Sequence, residues 1–242
     1  MAQAEDQGLD ALIRQAEQAL LNEKWEEAHS LFEMALARLY QEEEPSLSHL
    51  TEAYNGRGVA LLQLGYYQQA IKSLRQALEY QPTLTGAYFN LGLCYEALGN
   101  TNAALEAYSR AIELEPHDAE VYFRRGGVWF MREEYQKTVE DTSRAIELHP
   151  VGAITGPYLA RGLAYYRLEQ YTEAQADFAE AMKADPQTAA EACFYRALTY
   201  IDTNDAGSAY DDLQAYLSMT GDPASTMAEQ AREILQELEK LL

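Results

Sequence analysis

The chain has 242 residues, 48% hydrophobic and 24% charged, with only 14 glycines and 7 prolines. This apolar content suffices for a substantial core, which excludes a disordered chain, and the scarcity of turn residues favours long helices. The formal net charge of -21 argues against binding to nucleic acid or anionic lipid, because both need neutralising cations from the protein.

No segment approaches the roughly 18 uninterrupted apolar residues of a membrane span, so direct membrane insertion is not expected. The start, MAQAEDQGLD, carries acids where a secretory signal carries basic residues. We therefore expect an acidic, soluble protein of the cytoplasm. The acids are concentrated at the ends, with 11 acids and 3 bases in residues 1–50. A solvated surface explains them more simply than a docking surface for a basic partner, and both interpretations stay open.

An internal repeat organises the chain, because the same residue types recur every 34 positions. The recurring sets are Pro82, Pro116 and Pro150; Gly58, Gly92 and Gly126; Tyr54, Tyr88 and Tyr122; and Ala77, Ala111 and Ala145. Tyr158, Gly162, Ala181 and Pro186 continue the pattern after a shift of two. The shift falls in PVGAITG, so that loop is two residues longer, and we expect a local change of angle between the units that flank it.

The spacing within one unit predicts two helices joined by a short turn, as in residues 87–116. Tyr88, Leu91 and Tyr95 recur at helical spacing before LGN, which breaks the first helix. Leu105 and Tyr108 belong to a second apolar stripe. Small residues such as Gly92 allow two helices to approach closely, while the rings fill the space between them.

These residues resemble the tetratricopeptide repeat (TPR), a family whose motif is an aromatic, Leu-Gly, Tyr, then Ala, an aromatic, Ala and Pro. The resemblance covers about residues 9–222. It implies an all-α fold: a right-handed α-solenoid of about six helix-turn-helix repeats, followed by a C-terminal capping helix. Atypical end repeats are typical of stacked arrays, since each end covers one exposed face.

In chain order, the resemblance divides the chain into eight segments. They are an N-terminal segment (1–8), a degenerate first repeat with a long connection (9–50), repeat 2 (51–84), repeat 3 (85–118), repeat 4 with an extended loop (119–154), repeat 5 (155–189), a degenerate repeat 6 (190–222) and a capping helix (223–242). The capping helix has an apolar stripe of Met227, Ala231, Ile234, Leu235 and Leu238.

Arginine recurs at one position of the first helices, and we call Arg57, Arg125, Arg161 and Arg196 the arginine column. Sixteen residues after the last three stand Asp141, Asp177 and Asp212. Because a half-buried arginine needs a fixed carboxylate, we predict ion pairs between the paired helices. Repeat 3 has Leu91 and Ala107 at the two places, so both charges are lost together, and Arg57 faces Ser73 instead.

The other face of the first helices lines an inner groove in proteins of this family, which implies a partner-binding surface. The predicted groove consists of Asn55, Val59, Phe89, Asn90, Leu93, Phe123, Arg124, Gly127, Phe130, Leu159, Leu163, Phe194 and Leu198. An apolar band with a few polar anchors suits an extended peptide or an amphipathic helix. The same residues would be core if the N-terminal segment or a second copy filled the groove.

One subtype of the family clamps the C-terminal carboxylate of heat-shock proteins with Lys, Asn and Arg. Asn90 and Arg124 match that pattern, whereas Val59 does not, and Glu120 places a negative charge where a cation is needed. A co-chaperone-like adaptor with an incomplete clamp is therefore one alternative.

Enzymatic activity finds no support in the sequence, which has no Gly-rich phosphate loop, no paired Cys motif and no His pair at ligand spacing. We assign no catalytic residue, no metal site and no cofactor. The four histidines, His29, His49, His117 and His149, fall near predicted helix ends or in loops, where a solvated or capping role is expected. Cys94 and Cys193 replace core residues nearly three repeats apart, too far for a disulfide, and buried thiols suit a reducing cytoplasm.

The sequence thus predicts a non-enzymatic scaffold that binds a protein or peptide partner, as an adaptor or assembly factor for a multi-protein complex. The alternative is a structural protein that self-associates into a homo-oligomer through the groove or the end helices. The sequence does not name the partner.

Overall fold

The computed structural model describes residues 2–149, 156–183, 186–222 and 224–240, which form thirteen α-helices and no strand. The helices are α1 (Ala2–Leu21), α2 (Trp25–Leu39), α3 (Leu47–Gln63), α4 (Tyr67–Tyr80), α5 (Thr85–Ala97), α6 (Thr101–Leu114), α7 (Ala119–Met131), α8 (Tyr135–Leu148), α9 (Gly156–Arg167), α10 (Tyr171–Ala181), α11 (Pro186–Asp202), α12 (Ala206–Met219) and α13 (Thr226–Leu238). The predicted all-α fold class is confirmed. Within these ranges, no helix is both long enough and apolar enough to cross a membrane.

Neighbouring helices pack as antiparallel pairs, and six pairs precede α13. We number the pairs as repeats 1 to 6, from α1 and α2 to α11 and α12. Helices α2, α4, α8 and α10 also pack against the first helix of the repeat that follows them. Contacts divide the chain into two compact units: unit 1, Met1–Pro116, contains repeats 1 to 3, and unit 2, His117–Leu242, contains the rest.

A residue in the left-handed backbone region ends the first helix of every repeat. These residues are Glu23, Gly65, Gly99, Glu133, Glu169 and Asn204, with φ between 56° and 78°. Glycine adopts this conformation without steric cost, which is why LGN breaks the helix in repeat 3. Repeats 1, 4 and 5 make the same turn with a glutamate, so their turns carry backbone strain that repeats 2 and 3 avoid.

Glycines inside the first helices are contact points for large buried rings of the second helices. A Cβ built on Gly92 would lie 2.3 Å from Cε1 of Tyr108, whose ring is fully buried. A Cβ on Gly162 would lie 2.8 Å from Cε1 of Phe178 in the same way. The predicted close approach of paired helices at these positions is confirmed.

Gly92→Ala is expected to lower the free energy of unfolding by about 1–3 kcal/mol, because the Tyr108 ring has no space into which it can move. Gly127→Ala is the matched control in another first helix, where an added Cβ meets no atom of another described residue within 4 Å. That control is expected to raise stability by up to about 1 kcal/mol through helix propensity. Urea denaturation of both variants measures the difference, and shifts of the same sign would contradict this packing.

The extended loop of repeat 4, with Pro150, Val151 and Ile154, lies outside the described residues, so the change of angle beside it stays a prediction. At the N-terminus, α1 begins at Ala2 and therefore includes residues that we expected to form a separate segment before the first repeat.

The last helix, α13, begins after Ser225, whose side chain accepts a hydrogen bond from the backbone N–H of Ala228. Its predicted apolar stripe packs against the core of repeat 6. Ala231 and Leu238 are buried there together with Ala228, which the predicted stripe omitted. The stripe thus covers the apolar side of repeat 6, as expected for a capping helix.

Candidate functional site

Two adjacent arginines of α7 lie on different sides of the helix. Arg125 is half-buried and donates two parallel hydrogen bonds to Asp141 of α8, from Nε and Nη2, each of 2.8 Å. Arg124, one helical step away, has 43% of its side chain exposed and contacts Glu120 of the same helix at 2.7 Å. Arg125 therefore joins the two helices of repeat 4, whereas Arg124 is on the surface.

The predicted ion pairs of the arginine column are confirmed in all three repeats that have both charges. Arg161 binds Asp177, and Arg196 binds Asp212, through paired hydrogen bonds of 2.7 Å. Such bidentate pairs fix the orientation of one helix relative to the next. Arg161 also donates to Ser143 of the preceding repeat, so it links three helices.

The aspartates of the column are buried, and at Asp177 burial changes the pKa of the carboxyl group. At Asp177, loss of hydration raises the pKa of the carboxyl above its usual value, although Arg161 acts in the opposite direction. Burial therefore outweighs the attraction of the arginine at this residue. The pairs orient helices, but removal of one partner leaves a buried charge that nothing compensates.

Repeats 2 and 3 depart from the column as the sequence predicts. In repeat 3, Leu91 and Ala107 are both buried, and no charge is present at either place. In repeat 2, Arg57 donates to the hydroxyl of Ser73 at 3.1 Å and lies 3.9 Å from Glu33 of the preceding helix. The carboxylate near Arg57 thus comes from a neighbouring repeat, which the sixteen-residue spacing did not predict.

The predicted groove residues of α7 surround an open position at Gly127. Phe123 and Phe130 are half-buried on either side of it in sequence. Phe130 packs edge-on against Tyr135, with 5.3 Å between the ring centroids, and Phe123 lies beside Gly156 at the start of α9. The rings are thus held by neighbours, while no described residue outside the adjoining turns of α7 has an atom within 4 Å of a Cβ built on Gly127.

The groove residues of α9 and α11 are more covered than expected. Leu159 and Leu163 are half-buried and pack against the core of repeat 5, and Leu198 packs against that of repeat 6. Phe194 is only 3% exposed and contacts Tyr216 of α12, with the ring centroids 5.3 Å apart. Phe194 is therefore a core residue, which corrects its assignment to a binding surface. The sequence alone could not show this, because an aromatic residue at that position suits either a core or a binding surface.

In unit 1 the predicted groove residues lie on α3 and α5, and all are half-buried. They are Asn55, Val59, Phe89, Asn90 and Leu93. The Oδ1 atom of Asn55 is buried without a hydrogen-bond partner among the described residues. Phe89 packs against Tyr108, with 6.0 Å between the ring centroids, so part of its surface belongs to the core.

Models of the tetratricopeptide repeat match residues 86–118 and 157–188, and a further TPR repeat model matches residues 58–99. The matches fall on the paired helices described above. The chain is a tetratricopeptide repeat protein. TPR proteins are typically non-enzymatic interaction scaffolds that bind protein partners, and this chain has the architecture of such a scaffold.

Solved structures with the same fold are similar to this TPR protein at low sequence identity. MamA is 23% identical, with a TM-score of 0.63 over 67% of this chain and 93% of that chain. YrrB, a TPR protein with an unusual peptide-binding site, is 19% identical, with a TM-score of 0.68 over 84% of this chain and 97% of that chain. The APC/C hetero-tetramer Cut9-Hcn1 is 21% identical, with a TM-score of 0.66 over 94% of this chain and 42% of that chain. A comparison with curated proteins finds no significant match.

The cysteines of this TPR protein are free and buried. Burial raises the pKa of the Cys94 thiol to about 12 and that of Cys193 to about 11, so both stay protonated and weakly nucleophilic at neutral pH. Within the described ranges, no group of three or more His, Cys, Asp or Glu side chains is arranged to hold a metal ion.

The histidines do not share one environment. His149 follows the last residue of α8, as expected for a residue near a helix end. His49 departs from the expectation of a solvated residue, because its side chain is only 20% exposed and its Nε2 atom lies 3.0 Å from Asp10 of α1. His49 therefore links the first helices of repeats 1 and 2.

Proposed function

We propose that this TPR protein is a non-enzymatic adaptor, or an assembly factor for a multi-protein complex, that binds a peptide or helix of a partner protein on its first helices. The open position at Gly127 is the observation that carries the proposal. It lies between two half-buried rings and beside an exposed arginine, so it offers a place for one apolar side chain next to a polar anchor.

The chemistry of this surface favours an amphipathic ligand. Phe123 and Phe130 supply apolar contact area, and Arg124 with Glu120 supplies paired charges at its edge. Recognition of a helix or an extended peptide combines apolar anchors of this kind with polar contacts that set register. The similarity to YrrB, with its peptide-binding site, also supports a peptide as the class of ligand.

A co-chaperone-like carboxylate clamp is less well supported by the same residues. Arg124 already contacts Glu120 at 2.7 Å, and that carboxylate would repel the carboxylate of a ligand. A clamp would therefore require Glu120 to move away first.

Gly127→Trp tests the proposal, because it fills the open position without removing any contact. Gly207→Trp is the matched control: Gly207 is exposed in α12 of the same unit, and among the described residues the Asp205 carboxylate alone lies within 4 Å of a Cβ built there. Proteins captured from the source cell by the wild type and by both variants are identified by mass spectrometry, and the partner's affinity is then measured by calorimetry. We expect Gly127→Trp to lose the partner and Gly207→Trp to retain it.

Equal capture by both variants would exclude the Gly127 surface. Sedimentation at several concentrations separates the self-association alternative, which predicts a larger species without any partner. If that species forms and Gly127→Trp abolishes it, the occupant of the surface is a second copy of the chain.

A further inference from the structure

A cavity of about 470 Å³ opens in unit 1 between α4, α5 and α6. Leu91 of α5 and Ala107 of α6 line it and are buried, so its inner part is apolar. Tyr88 and Tyr95 of α5 also line it. These three residues of α5 lie on the side opposite the predicted groove, because successive helical residues are 100° apart.

The cavity lies where repeat 3 has lost the ion pair of the arginine column. In repeats 4 to 6 an arginine and an aspartate fill the corresponding positions with two hydrogen bonds. The side chains of Leu91 and Ala107 together are smaller than those of an arginine and an aspartate, so space remains between the helices.

An arginine nevertheless lies at the cavity, and it comes from the preceding repeat. Arg75 of α4 donates to the hydroxyl of Tyr95 at 2.7 Å, and its guanidinium carbon lies 6.0 Å from the centre of that ring. No carboxylate of the described residues forms an ion pair with Arg75. By contrast, every arginine of the column has a carboxylate nearby, and for Arg57 this is Glu33 at 3.9 Å.

The second cation of the cavity is Arg110 of α6, whose Nη1 atom donates a hydrogen bond to the carboxylate of Glu113. Arginine has no acceptor, so Tyr95 accepts the hydrogen bond from Arg75 and keeps its own O–H group for donation. At Arg75 the cavity therefore presents two donors, the guanidinium and the Tyr95 hydroxyl, whereas Glu113 is an acceptor on the α6 side. Glu106 also lines the cavity. A further negative charge is therefore accommodated on the side of Arg75 and not beside Glu106.

We propose that this cavity is a second docking site, which takes an aspartate or glutamate side chain carried by a partner protein. The methylene groups of that side chain contact Leu91 and Ala107, and its carboxylate binds Arg75 and the hydroxyl of Tyr95. The ligand thus supplies a carboxylate to an arginine of the preceding helix, whereas repeats 4 to 6 pair their own aspartates with the arginine column. A cationic side chain is disfavoured beside Arg75, because two like charges repel each other at that end of the cavity.

The chain offers a variant that closes the site with its own chemistry. Leu91→Arg combined with Ala107→Asp restores the residues of repeats 4 to 6, so it fills the cavity with an ion pair that the fold accommodates three times elsewhere. A random peptide library displayed on phage is selected in parallel on the wild type and on this double variant. We expect peptides that bind only the wild type and that carry an acid next to an apolar residue.

The dissociation constants of two such peptides and their Glu→Gln or Asp→Asn analogues are then measured by calorimetry. Loss of the acid, or Arg75→Gln in the protein, is expected to weaken binding at least tenfold. Lys72→Gln removes the same charge from an exposed position of α4 and should leave the affinity within about twofold.

Three results would overturn the proposal. They are the absence of any peptide that distinguishes the wild type from the double variant, discriminating peptides that lack an acid, and equal effects of Arg75→Gln and Lys72→Gln. Thermal melts of each variant establish that it is folded. The Gly127→Trp variant keeps this cavity, so its binding of the same peptides separates this site from the groove of the proposed function.

Discussion

Deletion of residues 224–242 is expected to lower the free energy of unfolding by about 2–4 kcal/mol and to promote aggregation. The deletion removes Ala228, Ala231 and Leu238, which are buried against repeat 6. Burial of one leucine contributes about 1.5–3 kcal/mol, and Met227, Ile234 and Leu235 add partly buried area. The backbone entropy recovered by the shorter chain offsets part of this loss, which limits the net effect.

Exposure of the apolar side of α12 is the reason to expect aggregation. Ala231→Asp places an unpaired charge in the same interface without shortening the chain, and it should destabilise the protein by a similar amount. Gln236→Asp introduces the same charge on the exposed side of α13 and should change stability by no more than about 0.5 kcal/mol.

The measurements are thermal melts and sedimentation of the three variants beside the wild type. An unchanged melting temperature and a clean monomer after the deletion would show that α13 is a docking element rather than a cap. Equal effects of Ala231→Asp and Gln236→Asp would show that the packed side of α13 is assigned wrongly.

The fold was predictable because its determinants are local and repeated. The recurrence of Gly58, Gly92 and Gly126 marks points where paired helices touch. In each case the contacting side chain stands sixteen residues later in the sequence, at Leu74, Tyr108 and Thr142. The pairing of Arg125 with Asp141 followed from the same logic, since a buried arginine requires a carboxylate and the period supplied one.

The candidate surfaces were less predictable, because exposure depends on neighbours that one repeat does not specify. Phe194 and Phe123 occupy related places in first helices, yet Phe194 is covered by Tyr216, which stands where the motif has alanine. The cavity beside Arg75 shows the same limit. The sequence reveals that Leu91 and Ala107 replace an ion pair, but not that the space stays open, nor that an arginine of the preceding helix lies beside it.

Arg125→Ala is expected to lower the free energy of unfolding by about 3 kcal/mol. The substitution leaves the Asp141 carboxylate, in a residue that is 6% exposed, without its partner between two helices. Removal of one member of a buried pair costs about 3–5 kcal/mol, and the lower end applies because 21% of the Arg125 side chain is exposed. Arg124→Ala removes an exposed pair with Glu120 and should change stability by no more than about 0.5 kcal/mol.

The double substitution Arg125→Leu with Asp141→Ala distinguishes loss of a partner from loss of the pair itself. It copies Leu91 and Ala107, which repeat 3 already uses at the same two places. Because neither charge then remains buried, stability should return to within about 1 kcal/mol of the wild type. Denaturant melts of the three variants, with binding of the natural partner measured in parallel, give the answer. If Arg124→Ala unfolds the protein while Arg125→Ala folds normally and loses the partner, the faces of α7 are exchanged, and the groove predicted from them must be abandoned.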